Sequence, residues 1–208
     1  MAGCRLNRAT RCVLSGGWGD NACMPTQSPA LCLDLHVNTA AALTGRSVRT
    51  WQRRMEQGLV ARRADGRALV PWTALQAELV APLAPQDAPL LARADQGEAA
   101  AQAQVGALLA LAALDALGAT AGGDGGEGCN DCNDCVVAAR YFLEQAAQQG
   151  EADAMHWLAL LHAAGLCEGD GNAQALMWLA RAAAQGHVLA KAQLAGLMPG
   201  EGAPARGG

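Results

Sequence analysis

Aromatic residues are scarce in this chain: one Tyr, one Phe and five Trp among 208 residues. β-Branched residues are also few, and the apolar content is carried mainly by Ala and Leu. That balance favours helix over sheet. No run reads as long and apolar enough to span a bilayer, so no membrane partner is expected. A Gly-rich phosphate loop, a nucleophile elbow and a metallohydrolase motif are all missing, and the expectation is a protein that is not an enzyme. The eight cysteines, at 4, 12, 23, 32, 129, 132, 135 and 167, lack the spacing of a secreted disulfide framework. They point to a reduced, cytoplasmic setting.

Charge is distributed unevenly. The formal net charge is −4, yet seven arginines (46, 49, 53, 54, 62, 63, 67) crowd one short segment against Glu56 and Asp65. From Leu90 onward there are five basic and thirteen acidic residues. A basic segment joined to an acidic remainder implies different partners for the two parts.

The strongest internal pattern is a repeated phrase. Leu143 to Ala154 and Leu179 to Ala190 are near-copies whose glycines, Gly150 and Gly186, stand 36 residues apart. A shortened third copy ends at Gly97, so that Ala101, Ala154 and Ala190 are equivalent, as are Gly106, Ala159 and Ala195. A fixed period in this range marks stacked helix pairs. Each glycine would end one helix in the left-handed region so that the next begins at once. The Ala-Ala and Gln-Gly positions, with Trp178 and its equivalent Phe142, resemble the Sel1-like repeat, a relative of the tetratricopeptide repeat. The resemblance covers about residues 90–198 and implies a short α-solenoid that binds other proteins or peptides, with none of the shared positions catalytic.

The basic segment has its own pattern. Asn38 is placed to cap a helix over 39–43 that Gly45 ends, and Ser47 to cap a second helix from Val48 to about Gln57, closed by Gly58. Asp65-Gly66 between two short β-prone runs signals a hairpin. Pro71 then opens a helix from Trp72 to about Leu79. Helix, glycine turn, arginine-bearing helix and hairpin resemble the winged helix-turn-helix shared by MerR-type regulators and phage excisionases, over roughly residues 35–80. That resemblance implies that Ser47, Arg49, Thr50, Arg53 and Arg54 face the major groove of double-stranded DNA. It also implies that Arg62, Arg63 and Arg67 in the wing meet phosphates. Arginine suits both tasks, by bidentate contact with guanine or phosphate.

Between Gly97 and Gly150 lie 17 residues more than the period requires, in a Gly-rich stretch that runs into Cys129-Asn-Asp-Cys132-Asn-Asp-Cys135. Cys129, Cys132 and Cys135, with Cys167 as a fourth ligand, have a spacing that suits zinc or an iron–sulfur cluster. The competing reading is a duplicated tripeptide in a variable loop, with no cofactor.

The expected organisation is mainly α. Residues 1–31 read as disordered or as an over-called N-terminus. A winged helix-turn-helix over 32–80 and an extended Pro-rich linker over 81–89 follow. Sel1-like repeats occupy 90–198 with an insertion at 115–135, and a disordered tail ends the chain at 199–208. The expected function is a transcriptional regulator or adaptor of bacterial type, coupling DNA to a protein partner and possibly forming a homodimer. The alternative is a purely protein–protein interaction scaffold.

Overall fold

Ala and Leu dominate the chain, and helices dominate its fold. A computed structural model describes residues 33–60, 69–120 and 130–197, with only the backbone described at 119–120 and 130–132. These residues fall within one contact-defined unit, Leu31–Gly208. They form α1 (Val37–Thr44), α2 (Val48–Glu56), α3 (Trp72–Leu75), α4 (Ala88–Asp95), α5 (Ala99–Thr120), α6 (Asn130–Gln148), α7 (Ala152–Ala163), α8 (Gly171–Ala184) and α9 (Val188–Leu197). Two short strands, β1 (Asp34–His36) and β2 (Leu69–Pro71), pair antiparallel with Leu35 opposite Val70. Residues before 33, residues 61–68 where the sequence suggests a hairpin turn, residues 121–129 of the expected insertion and residues from 198 onward lie outside the described residues.

From α4 onward, glycine turns join the helices whose connections are described. Gly97, Gly150 and Gly186 take φ of 91°, 89° and 98°, a region an L side chain rarely adopts, and each separates consecutive helices. Four residues later in each copy, Ala101, Ala154 and Ala190 are completely buried. Five residues beyond these the copies differ, and packing explains why. A Cβ at Gly106 would lie 2.6 Å from Leu143 Cγ and 3.2 Å from the Leu143 backbone nitrogen, so α5 and α6 meet closer than any side chain allows. The equivalent positions, Ala159 and Ala195, tolerate a methyl group. Phe142 and Leu143 are fully buried beneath this contact, whereas Trp178 is half-buried, with the Arg181 guanidinium 4.9 Å from its ring centre.

α5 departs from one sequence expectation. Over Ala99–Gly118 it is long and apolar enough, by length and composition, to cross a membrane. It packs against α4, α6 and α7, which accounts for its buried residues, while Leu108, Leu111 and Leu117 on its open side are 40–45% exposed.

The amino-terminal elements join this core through α1 and α6. The N-cap of α1 lies two residues before the expected one: it is His36, not Asn38, and no side chain of its own caps the helix. Instead the buried Asp95 carboxylate at the end of α4 accepts the His36 backbone N–H on both oxygens at 3.1 Å, and His36 Nδ1 lies 2.8 Å away. A tertiary contact thus fixes the backbone at the start of α1, whose first turn no side chain caps. The Pro-rich stretch is packed against its neighbours. The Val80 N–H donates to Leu43 O, Ala81 is buried, the Cys135 thiol donates to Val80 O, and Pro85–Asp87 forms a 3₁₀ turn.

At the far end, His156 of α7 stacks on His187 with ring centres 4.2 Å apart. His187 Nδ1 accepts the Ala190 N–H and so caps α9, which leaves its Nε2 facing Asp153 at 3.3 Å. His156 Nε2 reaches Gln193 Oε1 at 3.0 Å. Burial holds the His156 pKa below its ordinary value. The Gln193 hydrogen bond opposes that shift, the facing His187 adds to it, and Asp153 opposes it.

Two outcomes follow for stability. Gly106→Ala should destabilise by about 1–3 kcal/mol through overpacking, while Gly118→Ala, on the same helix with open space around it, should stabilise by about 0.5–1 kcal/mol. Urea denaturation of the two variants checks this. For His156 the unfolded chain takes its proton near the ordinary value of 6.5 and the folded chain only at lower pH. Stability should therefore fall as pH drops below 6.5, down to the depressed folded value. His156→Gln should make that part of the urea-midpoint-versus-pH curve shallower, with the remainder due to buried His162, whose pKa burial also lowers.

Candidate nucleic-acid interface

α2 is a short helix with both ends specified. The Ser47 hydroxyl accepts the Thr50 N–H at 3.1 Å and lies 2.9 Å from Thr50 Oγ1, so the cap is made locally. Gly58, at φ 71°, follows its carboxyl end. Trp51 and Met55, one turn apart, are the buried residues of α2. Trp51 Nε1 donates to Thr44 Oγ1 at 3.1 Å, and that hydroxyl donates to Ala40 O at 2.7 Å. An indole and a hydroxyl thereby fix the angle between α1 and α2 while leaving no polar atom of this pair unsatisfied.

The arginines divide into two groups. Arg54 is half-buried, its guanidinium 4.8 Å from the Trp51 ring centre, and its Nη1 and Nη2 donate to Glu78 at 2.8 and 3.2 Å. Arg46 Nε donates to the same carboxylate at 3.0 Å. Glu78, in the 3₁₀ turn Gln76–Glu78 that follows α3, is therefore clasped by two cations. The Arg54 hydrogen bond holds its pKa below the usual carboxylate value against the opposing effect of burial, and Arg46 lowers it further. Arg49 and Arg53 form the second group. They are exposed, one turn apart on the same face, and make no ion pair among the described residues.

Of the residues expected in a groove, Arg49 and Arg53 are thus presented outward. Ser47 is exposed with its hydroxyl used in the cap, Thr50 is half-buried beside it, and Arg54 is occupied by Trp51 and Glu78. Arg62, Arg63 and Arg67 lie outside the described residues, as do Asp65 and Gly66. The strand after them, β2, pairs with β1. The role of Glu78 was missed from sequence. Its signal, an acid 24 residues beyond Arg54, has no local periodicity to expose it.

An acidic residue of α6 stands against the turn that precedes α2. A Cβ on Gly45 would lie 2.8 Å from Asp134 Oδ2, and Gly45 itself has φ 62°. Asp134 also lines a shallow cavity of about 450 Å³ together with Arg46, Ser47, Val137 and Tyr141. A second cavity, about 300 Å³, opens between α1, the end of α4 and α6, lined by His36, Asp95, Gln102 and Tyr141. Gln102, buried there, donates to Ala94 O and Gln145 Oε1 and accepts from Gln149.

The candidate metal ligands are placed as follows. Cys129 lies outside the described residues, and Cys132 is described by backbone alone, in the first turn of α6. Cys135 is buried with its thiol on Val80 O. Cys167 is buried after α7, where burial pushes its thiol pKa up and Arg140, nearby on α6, opposes that shift. Among the described residues, no three His, Cys, Asp or Glu side chains form a group that would hold a metal ion.

Comparison with protein-family models, with curated proteins and with solved structures finds no match to this chain.

The Glu78 clasp has a pH signature. A carboxyl held below its ordinary 4.5 contributes stability above that value and loses it as pH falls through the lowered folded value. Glu78→Gln should cost on the order of 1 kcal/mol at neutral pH. In urea titrations the gap between variant and parent should close in acid; a constant gap would contradict the role of the charge.

Proposed function

We propose that the chain is a DNA-binding regulator or adaptor, in which α1, the Gly45 turn and α2 act as a helix-turn-helix and the helix pairs from α4 onward act as a Sel1-like scaffold for a protein partner. The observation that carries the proposal is the division of the arginines. Glu78 and Trp51 consume Arg46 and Arg54 in holding α2 to its neighbours, while Arg49 and Arg53 project from the same helix without an ion-pair partner among the described residues. A helix that enters a major groove needs guanidinium groups there, for base edges and phosphates. The wing arginines Arg62, Arg63 and Arg67 are assigned to phosphate contacts.

The test is fluorescence anisotropy of the full chain with a pool of duplexes at rising salt. Binding should weaken steeply, by roughly tenfold or more between about 50 and 200 mM salt, as counterions are released. Arg49→Ala or Arg53→Ala should each cost about 1–3 kcal/mol and relax sequence preference, whereas Arg62→Ala with Arg63→Ala should weaken all duplexes alike. Absence of binding to any duplex at low salt would contradict the proposal and leave the alternative of a protein-binding scaffold without DNA affinity.

A further inference from the structure

His187 closes one helix and opens the next. Its backbone N–H donates to Ala182 O at 3.0 Å, at the end of α8, and its carbonyl accepts the Lys191 N–H at 3.1 Å, in α9. Its side chain then caps α9, because Nδ1 accepts the Ala190 N–H at 3.0 Å. That bond fixes the state of the ring. An accepting Nδ1 carries a lone pair, so the proton of the neutral imidazole sits on Nε2, towards Asp153. The face of the ring is committed as well. It stacks on His156 of α7 with 25° between the planes, and His156 Nε2 reaches Gln193 of α9. Two imidazoles therefore tie α9 to α7 and to the turn at Gly186. Ala190 is the buried residue of α9, while Val188, Leu189 and Leu197 are exposed, so these polar ties carry much of the docking.

The surroundings of the pair do not favour a cation. Asp153 faces His187 from α7, but its side chain is 71% exposed, and an ion pair open to water is worth little. Glu151, the N-cap of α7, makes no ion pair with either ring. His162, further along α7, is influenced by Arg140 and Glu144 instead. The charged residue of α8, Arg181, lies over Trp178, and that of α9, Lys191, is exposed. Protonation of His187 would place an N–H at Nδ1, facing the Ala190 N–H, and the cap would be lost. It would also set a positive charge at the amino end of α9, where the helix dipole opposes it, and against the face of a second imidazole. Protonation of His156, which burial already disfavours, would put a charge on the other side of the same stack. Departure of α9 relieves both. We infer that the stacked His156–His187 pair is an acid-sensitive latch, which holds α9 on α7 and α8 while both rings are neutral and releases it on protonation. Release would open the groove that Gln193 and Leu197 of α9 share with Leu179 of α8.

Hydrogen exchange of the full chain, followed residue by residue from about pH 8 to about pH 5, the range in which imidazoles titrate, tests the latch. Each rate is divided by that of unstructured peptide at the same pH. In the parent, the α9 amides from Ala192 to Leu197 should open roughly fivefold more at the acid end, by a larger factor than the amides of α5. His187→Ala, which has no cap, should show α9 already loosened at the alkaline end. His187→Asn supplies an amide oxygen that caps without titrating, and should keep α9 closed there. Combined with His156→Gln, it should remove the acid-induced opening. An α9 whose opening does not change with pH overturns the inference. So does a double variant that opens in acid as the parent does, and so does a rise shared equally by α5, which would mark global unfolding instead of release.

Discussion

Among the described residues, α5 and α6 approach each other closely at Gly106. Nothing larger than a hydrogen fits against Leu143 there. Most of what surrounds it follows from that separation. Phe142 and Leu143 are fully buried because α5 lies on them, and Ala101 and Leu109 are fully buried on the opposite side for the same reason. The shortage of aromatics becomes intelligible in this light. Helices packed through Ala and Gly leave little volume between them, and large rings would hold them apart. Phe142 and Trp178 occupy one repeat-equivalent position in two environments, one enclosed between helices and the other half-open near the end of the described chain.

The same α6 fixes the amino-terminal elements. Its Asp134 sits against Gly45, its Cys135 holds the Val80 carbonyl, and α1 packs along it. Asp95 at the end of α4 secures the start of α1 from the other side. α2 is therefore carried by a contiguous framework. Its angle is set by the Trp51–Thr44 hydrogen bond, and its flank is set by the Glu78 clasp on Arg46 and Arg54. What remains for an external ligand is the outer face with Arg49 and Arg53.

Local features were legible in the sequence and long-range ones were not. The Ser47 cap, the Gly45 and Gly58 turns and the glycines at 97, 150 and 186 are all decided within a few residues, and the helix boundaries follow them. The start of α1 was misplaced because its stabilising carboxylate, Asp95, lies 59 residues away. β1 went unread because three residues make a strand only through pairing with β2. Arg54 looked equivalent to Arg53 because adjacency in sequence hides that one faces Trp51 and Glu78 and the other faces outward. The stacking of His156 on His187 depends on how the turn at Gly186 folds back. α5 exceeded the expected apolar length because leucines stand at its exposed positions 108, 111 and 117 as well as on its buried face.

The central claim is that the exposed face of α2 meets DNA while the repeats do not. The most direct measurement is the pattern of backbone NMR shifts when a bound duplex is titrated into the isotope-labelled full chain. The account predicts the largest changes at Ser47, Arg49, Thr50 and Arg53, with α7 and α8 undisturbed. Changes concentrated on α5 to α8, or none on α2 at saturating duplex, would contradict it.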